Sequence, residues 1–337
     1  PKLKILHISQ FDDRNNYRLF NISISSKLSK GFIRNGHDVI NFSYRNFLNK
    51  NILKDRNETI NQKVLDISNN YKPDLVILGH NNFLYEKNIE LLKSKYNSKI
   101  CLWYEDALGK RGDGPQWREN LDLIEKNNEL IDTYFTTTHP DEIFTTIKKD
   151  KLNHLPIPVD ENIENLKLYE NKVNYKDLFF ALSHGVNFGK LKKGKYDERE
   201  DFIQKLMIKH PNVNYNILGI ADENPKWNYD YYNELNKCKM ALNLSRGKPI
   251  KLTSSNRIAS LIGNGIYTFI DTGTQYNKIF NEYEVGSYSS INDLGNKIES
   301  LLSNPEKIKK YAKNGREKYF KLFNNKIISE DIIKKTF

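Results

Sequence analysis

The chain has 337 residues, with 53 Lys plus Arg against 42 Asp plus Glu and a formal net charge of +11. That length suits two domains at roughly 100–200 residues each, and 20 Tyr plus 17 Phe exclude a disordered chain, which lacks the apolar surface to offset ordering entropy. Two cysteines, Cys101 and Cys238, both in apolar runs, exclude a disulfide scaffold and a multi-cysteine metal site. No run reaches the ~18–20 apolar residues of a membrane span. The opening Pro1–Ser9 stretch turns polar by Gln10, too soon for a signal-peptide core. A soluble protein of a reducing compartment is expected.

Short apolar runs alternate with amphipathic stretches, the pattern of βα units and parallel sheets. Leu3–Ile8 reads as a buried strand. Phe20, Ile24, Leu28 and Phe32 recur at four-residue steps, predicting a helix over 20–35 that Gly36 closes. Strands follow at 37–42, 74–79, 99–104 and 133–137, with helices near 57–70, 85–96 and from 116. Pro156 and Pro158 then interrupt the rhythm, because prolines two apart fit neither a central strand nor a helix interior.

A second series begins at Leu178–Ser183 and continues with strands at 214–219, 240–244 and 267–271. Helices are expected at 197–209, 229–237, 256–263 and 294–302, and helical basic sequence runs from Pro305 to the end. The reading is α/β throughout, with parallel sheets flanked by helices. It divides into a first domain over 1–158, a linker over 159–176 and a second domain over 177–337.

Ligands of doubly wound folds bind beyond the carboxyl ends of strands. The first such loop, Ser9 to Asn16, holds Asp13 but no Gly-x-Gly-x-x-Gly fingerprint, which counts against a nicotinamide or flavin domain. Gly79-His80 and Trp103-Tyr104-Glu105-Asp106 end neighbouring strands, so His80 and Asp106 are candidate proton acceptors in one crevice. His7 and His37 read as structural, and nothing in the spacing gives His139 or His154 a partner. No protein-held metal is expected. In the second half, Gly185 and Gly189 with Lys190, Lys192, Lys193 and Lys195 form a loop suited to phosphate. The run from Ser245 to Arg257 offers Arg246, Lys248 and Arg257 around a helix start at Ser254, Ser255 and Asn256, where free N–H groups suit a diphosphate.

These loops carry a resemblance. Gly185 to Gly194 resembles the strand–Gly–basic–Lys-Gly segment that opens the donor domain of GT-B glycosyltransferases. Pro156 to Asp160 is similar to their interdomain P-x-x-x-D crossover. Arg257 to Gly265 resembles the donor helix R-x-F-E-A-x-A-x-G, and the Gly79-His80 and Trp103–Asp106 strand ends resemble the CgeB-like acceptor domain. The likeness, to group 1-like members and the CgeB-like branch, implies two tandem Rossmann-like domains with C-terminal helices packing back toward the first. It implies transfer of a sugar from a nucleotide-diphosphate donor to a hydroxyl of a glycan or lipid-linked acceptor, in surface polysaccharide or glycolipid synthesis, with no obligatory cofactor or metal.

On this resemblance the diphosphate falls to Gly185, Lys193, Arg246, Lys248, Ser254, Ser255, Asn256 and Arg257, with Asp13 or Asp106 as base and His80 in reserve. Ser260 stands where the family has the Glu that holds the donor ribose, and is expected to bind a ribose hydroxyl more weakly as a neutral partner, while Leu252 stands where retaining members have a companion acid. That departure keeps open a non-catalytic nucleotide-sugar-binding or surface-assembly protein, and the same frame also serves nucleotide-sugar epimerases. Between Lys307 and Lys335 ten basic residues face three acidic ones. Such a segment suits an anionic membrane surface, so a cytoplasmic, peripherally bound protein is expected, without a specific nucleic-acid partner.

Overall fold

The computed structural model describes residues 1–11, 22–48, 56–110, 116–172, 174–183, 197–220 and 223–337. The chain forms two compact units, 1–160 together with 323–337, and 161–322.

The first unit contains β1 (Lys4–Ser9), α1 (Ile24–Arg34), β2 (Asp38–Ser43), α2 (Arg45–Leu48), α3 (Arg56–Tyr71) and β3 (Leu75–Gly79). It continues with α4 (Glu86–Tyr96), β4 (Lys99–Tyr104), α5 (Gln116–Glu125), β5 (Thr133–Thr136) and β6 (Leu152–His154). All neighbouring strands pair in parallel, in the order β2-β1-β3-β4-β5-β6. Leu75, Val76, Ile77 and Leu78 are all fully buried, as expected of a strand covered on both faces. Each such side chain contributes about 1.5–3 kcal/mol by leaving water. The chain leaves β1 for β2 on one side and returns to β3 on the other, so the order reverses between β1 and β3. That is the place where this architecture leaves a crevice.

The second unit contains β7 (Lys176–Ala181), α6 (Glu198–Lys209), β8 (Tyr215–Leu218), α7 (Asn228–Leu235), β9 (Cys238–Asn243) and α8 (Arg257–Ile262). Then come β10 (Tyr267–Asp271), β11 (Gly286–Tyr288), α9 (Ile291–Leu302) and α10 (Pro305–Phe323). Its sheet is also parallel, ordered β11-β10-β9-β7-β8, and reverses between β7 and β9. Cys101 and Cys238 are buried and free. Burial pushes the Cys238 thiol up to about 12, so it behaves as a small apolar group.

Two boundaries differ from the sequence expectation. The segment read as a linker belongs to the second unit beyond Asp160, because Leu168 N donates to Asn264 O at 2.9 Å and Arg316 reaches Glu164 O at 3.2 Å. At the other end, only α11 (Asn325–Thr336) packs back onto the first unit, against α1, while α10 stays with the second. Val159 N donates to Phe323 O at 3.0 Å and Asn325 N to Val159 O at 2.9 Å. The fully buried Asp160 accepts from Arg34 at 2.6 Å and from Asn325 at 2.8 Å. The short edge strands β6 and β11 escape a reading by periodicity, since three residues cannot display alternation.

Candidate functional site

Beside the strand reversal of the second unit, the ends of β9 and β10, the loop after β9 and the start of α6 come together. A cleft of about 190 Å³ opens there, lined among others by Arg199, Asn243, Ser245, Gly247, Asp271 and Thr274. Asp197 caps α6, with its side chain fully buried. Its carboxylate accepts from Arg199 N at 3.1 Å, from the Arg199 guanidinium at 2.8 and 2.7 Å, and from Arg246 at 2.9 Å. Burial alone would favour the neutral acid. The hydrogen bonds and charge of Arg199, then Arg246, outweigh it and hold the carboxyl well below its usual range. The outcome is a fixed carboxylate that holds two guanidiniums, of which Arg199 lines the cleft and Arg246 lies in the loop between the lining residues Ser245 and Gly247.

Arg257, the first residue of α8, donates to Leu244 O at 3.0 Å and lies 5.3 Å over the Phe180 ring, a cation–π geometry. Burial first, then the nearby Arg199 charge, lower its pKa to about 10. Gly247, with φ +75°, takes a left-handed turn that other residues resist, and its N–H is accepted by the Glu198 carboxylate. Asn243 ends β9. Its amide donates to Ser254 Oγ at 2.9 Å, and its Oδ1 is buried with no hydrogen-bond partner. A buried acceptor left unmade is costly, and this one sits in the wall of the cleft.

The residues expected for the diphosphate divide accordingly. Arg246 and Lys248 lie in the exposed loop after β9. Ser254 faces inward to Asn243, while Ser255 is exposed and accepts from Arg257 at 3.3 Å. Asn256 precedes the six-residue α8 without a side-chain cap, and its Oδ1 is also buried and unpartnered. Ser260 is buried in the body of α8. Leu252 has φ +46°, with its N–H held by Thr274 O at 2.8 Å and its carbonyl by the Tyr276 hydroxyl at 3.2 Å. Asp13, Gly185 and Lys193 lie outside the described residues. Sequence reasoning did not single out Asp197, Arg199 or Asn243. Asp197 reads as an ordinary helix cap, and only its position after a Gly/Lys loop hinted at more.

At the reversal of the first sheet, His80 follows β3 and Glu105-Asp106 follow β4, adjacent because Gly79 pairs with Trp103. His80 has φ +60°, a conformation histidine enters more readily than most residues, and its N–H bonds Trp103 O at 2.8 Å. Its ring stacks on Tyr104 at 4.9 Å. Nε2 lies 3.3 Å from Asp106 and Nδ1 3.9 Å from Glu105, with Nδ1 buried and lacking a hydrogen-bond partner. Burial disfavours the imidazolium. The Asp106 hydrogen bond and both carboxylate charges outweigh it and raise the pKa. Asp106 itself is 55% exposed, so it is the member of the cluster open to a ligand.

Below this edge His7 is fully buried. Trp103 Nε1 donates to its Nε2 at 2.9 Å. Since indole only donates, His7 carries its proton on Nδ1 and donates a hydrogen bond to Ser29 Oγ at 2.8 Å, whose hydroxyl donates to Asn41 Oδ1 at 2.7 Å. Burial lowers its pKa to about 3. His37 accepts from Leu3 N at 3.1 Å, and the rings of His139 and His154 lie 5.3 Å apart.

A family model described as glycosyl transferase-like matches residues 198–334. Among solved structures, the HepE protein of Anabaena in complex with UDP and glucose is similar at 12% identity and TM-score 0.58, covering 98% of each chain. Sucrose-phosphate synthase from Thermosynechococcus elongatus is similar at 13% identity and TM-score 0.60, over 99% of this chain and 98% of that one. The UDP-GlcNAc 2-epimerase of Neisseria meningitidis, bound to UDP-GlcNAc, is similar at 13% identity and TM-score 0.53, over 99% of both chains. No curated protein matches. The fold is the two-domain, Rossmann-like GT-B fold.

Proposed function

We propose that the chain is a glycosyltransferase that moves a sugar from a nucleotide-diphosphate donor to a hydroxyl of a glycan or lipid-linked acceptor. The observation that carries this reading is the pair of guanidiniums, Arg199 and Arg246, aligned on buried Asp197 beside the unpartnered Asn243 Oδ1. It lies beside the strand reversal of the unit that holds nearly all of the glycosyl transferase-like match. A doubly wound unit with cations at that edge suits a diphosphate.

In the reaction the bond from the sugar C1 to the diphosphate oxygen breaks, and a bond from C1 to the acceptor oxygen forms. Charge develops on the departing diphosphate and is stabilised by Arg246, Lys248 and Arg257, joined by Arg199 and by Gly185 and Lys193 in the role the resemblance gives them. These cations supply what a divalent ion supplies elsewhere. Asp106 takes the acceptor proton, and His80 fixes its carboxylate from behind. The finer placement in the group 1-like or CgeB-like branch rests on the likeness of the Arg257–Gly265 segment and, for the CgeB-like branch, of the Gly79-His80 and Trp103–Asp106 strand ends.

A cytoplasmic, peripheral position belongs to the same proposal. No helix among the described residues is long and apolar enough to cross a membrane. The terminal cations lend modest support, because Lys309, Lys313, Lys318, Lys334 and Lys335 each pair with an acid in their own unit. A second reading, epimerisation of a nucleotide sugar, draws on the similarity to the Neisseria epimerase.

A thermal-shift screen of nucleotide sugars followed by NMR of the reaction mixture tests these readings. Transfer predicts stabilisation by a nucleotide sugar and acceptor-dependent release of nucleoside diphosphate, and Asp106→Asn lowers turnover about 100-fold while donor affinity holds. Interconversion of sugar epimers without acceptor identifies the epimerase. Binding without either reaction identifies a non-catalytic module. Stabilisation by no nucleotide or nucleotide sugar overturns both enzyme readings.

A further inference from the structure

We infer that Glu198 is a built-in competitor for the donor's diphosphate, a displaceable carboxylate that sets donor affinity from within the cleft. The inference rests on the nucleotide-sugar reading and deepens it. Two consecutive residues of the loop after β9, Arg246 and Gly247, hold the carboxylates of two consecutive residues at the start of α6. The Arg246 guanidinium meets Asp197 at 2.9 Å, and the Gly247 N–H meets Glu198. The loop therefore already binds two adjacent anionic groups, the pattern a diphosphate presents.

The two carboxylates are not equivalent. Asp197 is fully buried and bound by three donors of Arg199 as well as by Arg246, so it belongs to the frame. Glu198 is exposed, lines the cleft, and among the described residues its one hydrogen bond is to Gly247 N. A backbone N–H in a left-handed glycine turn is an anion donor of the kind phosphate loops use. Glu198 fills that donor when the diphosphate is absent. A bound diphosphate must displace it and then tolerate a negative charge at contact range. Removing that charge at a partly solvated site is worth about a five- to tenfold gain in affinity.

The opposite sign is expected one residue earlier. Asp197→Asn keeps the oxygen that caps α6 but loses the charge that aligns Arg199 and Arg246, and it weakens diphosphate binding. Glu198→Gln keeps an acceptor for Gly247 N–H and removes only the competing charge.

The test is calorimetric titration of the full chain with UDP and, separately, with inorganic pyrophosphate. Glu198→Gln is expected to bind both about five- to tenfold more tightly than the wild type, with the gain shrinking as salt rises. Glu198→Ala is expected to follow it, and because residue 198 is exposed neither variant threatens the fold. Wild-type or weaker affinity in both variants, with UDP still bound, overturns the competitor and leaves the proposed function standing. No binding of UDP or pyrophosphate by any variant overturns the two together.

Discussion

The two strand-end clusters are electrostatic opposites. In the first unit a partly buried imidazole, His80, sits between two carboxylates, Glu105 and Asp106, which raise its pKa against burial. In the second a buried carboxylate, Asp197, sits between two guanidiniums, which lower its pKa against burial. In both, burial is the largest single influence and is outweighed by several partners acting together. In each cluster the enclosed centre orients its partners: Asp106 faces solvent in the first unit and Arg246 in the second, while Arg199 stays almost enclosed and the carboxylates of Glu198 and Asp271 also line the second unit's cleft. The first unit thus offers carboxylates, able to accept a proton. The second offers guanidiniums, able to accept an anion.

Deleting a buried centre is the strongest way to break this symmetry. Asp197→Ala leaves Arg199 almost enclosed and without its counter-charge, and removal of one member of a buried pair costs about 3–5 kcal/mol. Hydrogen exchange is expected to show that loss in the amides of β7 and β9, while β1 and β3 keep their protection. Equal loss in both sheets would mean that the pair does not anchor the second unit alone.

Acid sharpens the contrast with a smaller effect. His7 has a folded pKa of about 3 against an ordinary 6.5, so between those values the unfolded chain binds a proton that the folded one refuses. Stability of the first unit therefore falls as pH falls, by about 2 kcal/mol at pH 5. His80 is shifted the other way. Its contribution is complete below pH 6.5 and is lost only as pH rises through its folded pKa, so it does not offset His7 in that window. The Asp197 contribution is present above its ordinary value of 3.8 and is lost only as pH falls through its lower folded pKa. Hydrogen exchange at pH 5 is expected to show β1 and β3 opening before β7 and β9, and the reverse order would contradict these assignments.

Much of the fold was legible because the strands are buried on both faces. Leu75–Gly79 and Lys99–Tyr104 are continuous apolar runs between turn residues, and their ends located His80 and Asp106. The helix read over 256–263 runs Arg257–Ile262 with Asn256 at its N-cap, while Ser254 is drawn inward by Asn243. The Asp197 cluster, by contrast, was illegible. An Asp before Glu-Arg-Glu is an ordinary helix cap by local rules, and only the loop returning from β9 brings Arg246 to it from 49 residues away. The return of the last fifteen residues to the first unit was expected from the family resemblance alone, because local rules do not reveal a path fixed by Asp160, Arg34 and Asn325 from three separate parts of the chain.

The most direct test of the account is the affinity of the protein for UDP, measured by calorimetry in the wild type and in Arg246→Ala. Arg246 is 48% exposed on its loop, so its removal leaves the fold intact and takes one charge-assisted bond from the diphosphate. The account predicts that UDP binds the wild type and that the variant loses about 1.5–3 kcal/mol of affinity. UDP bound equally by both proteins, or by neither, would contradict it.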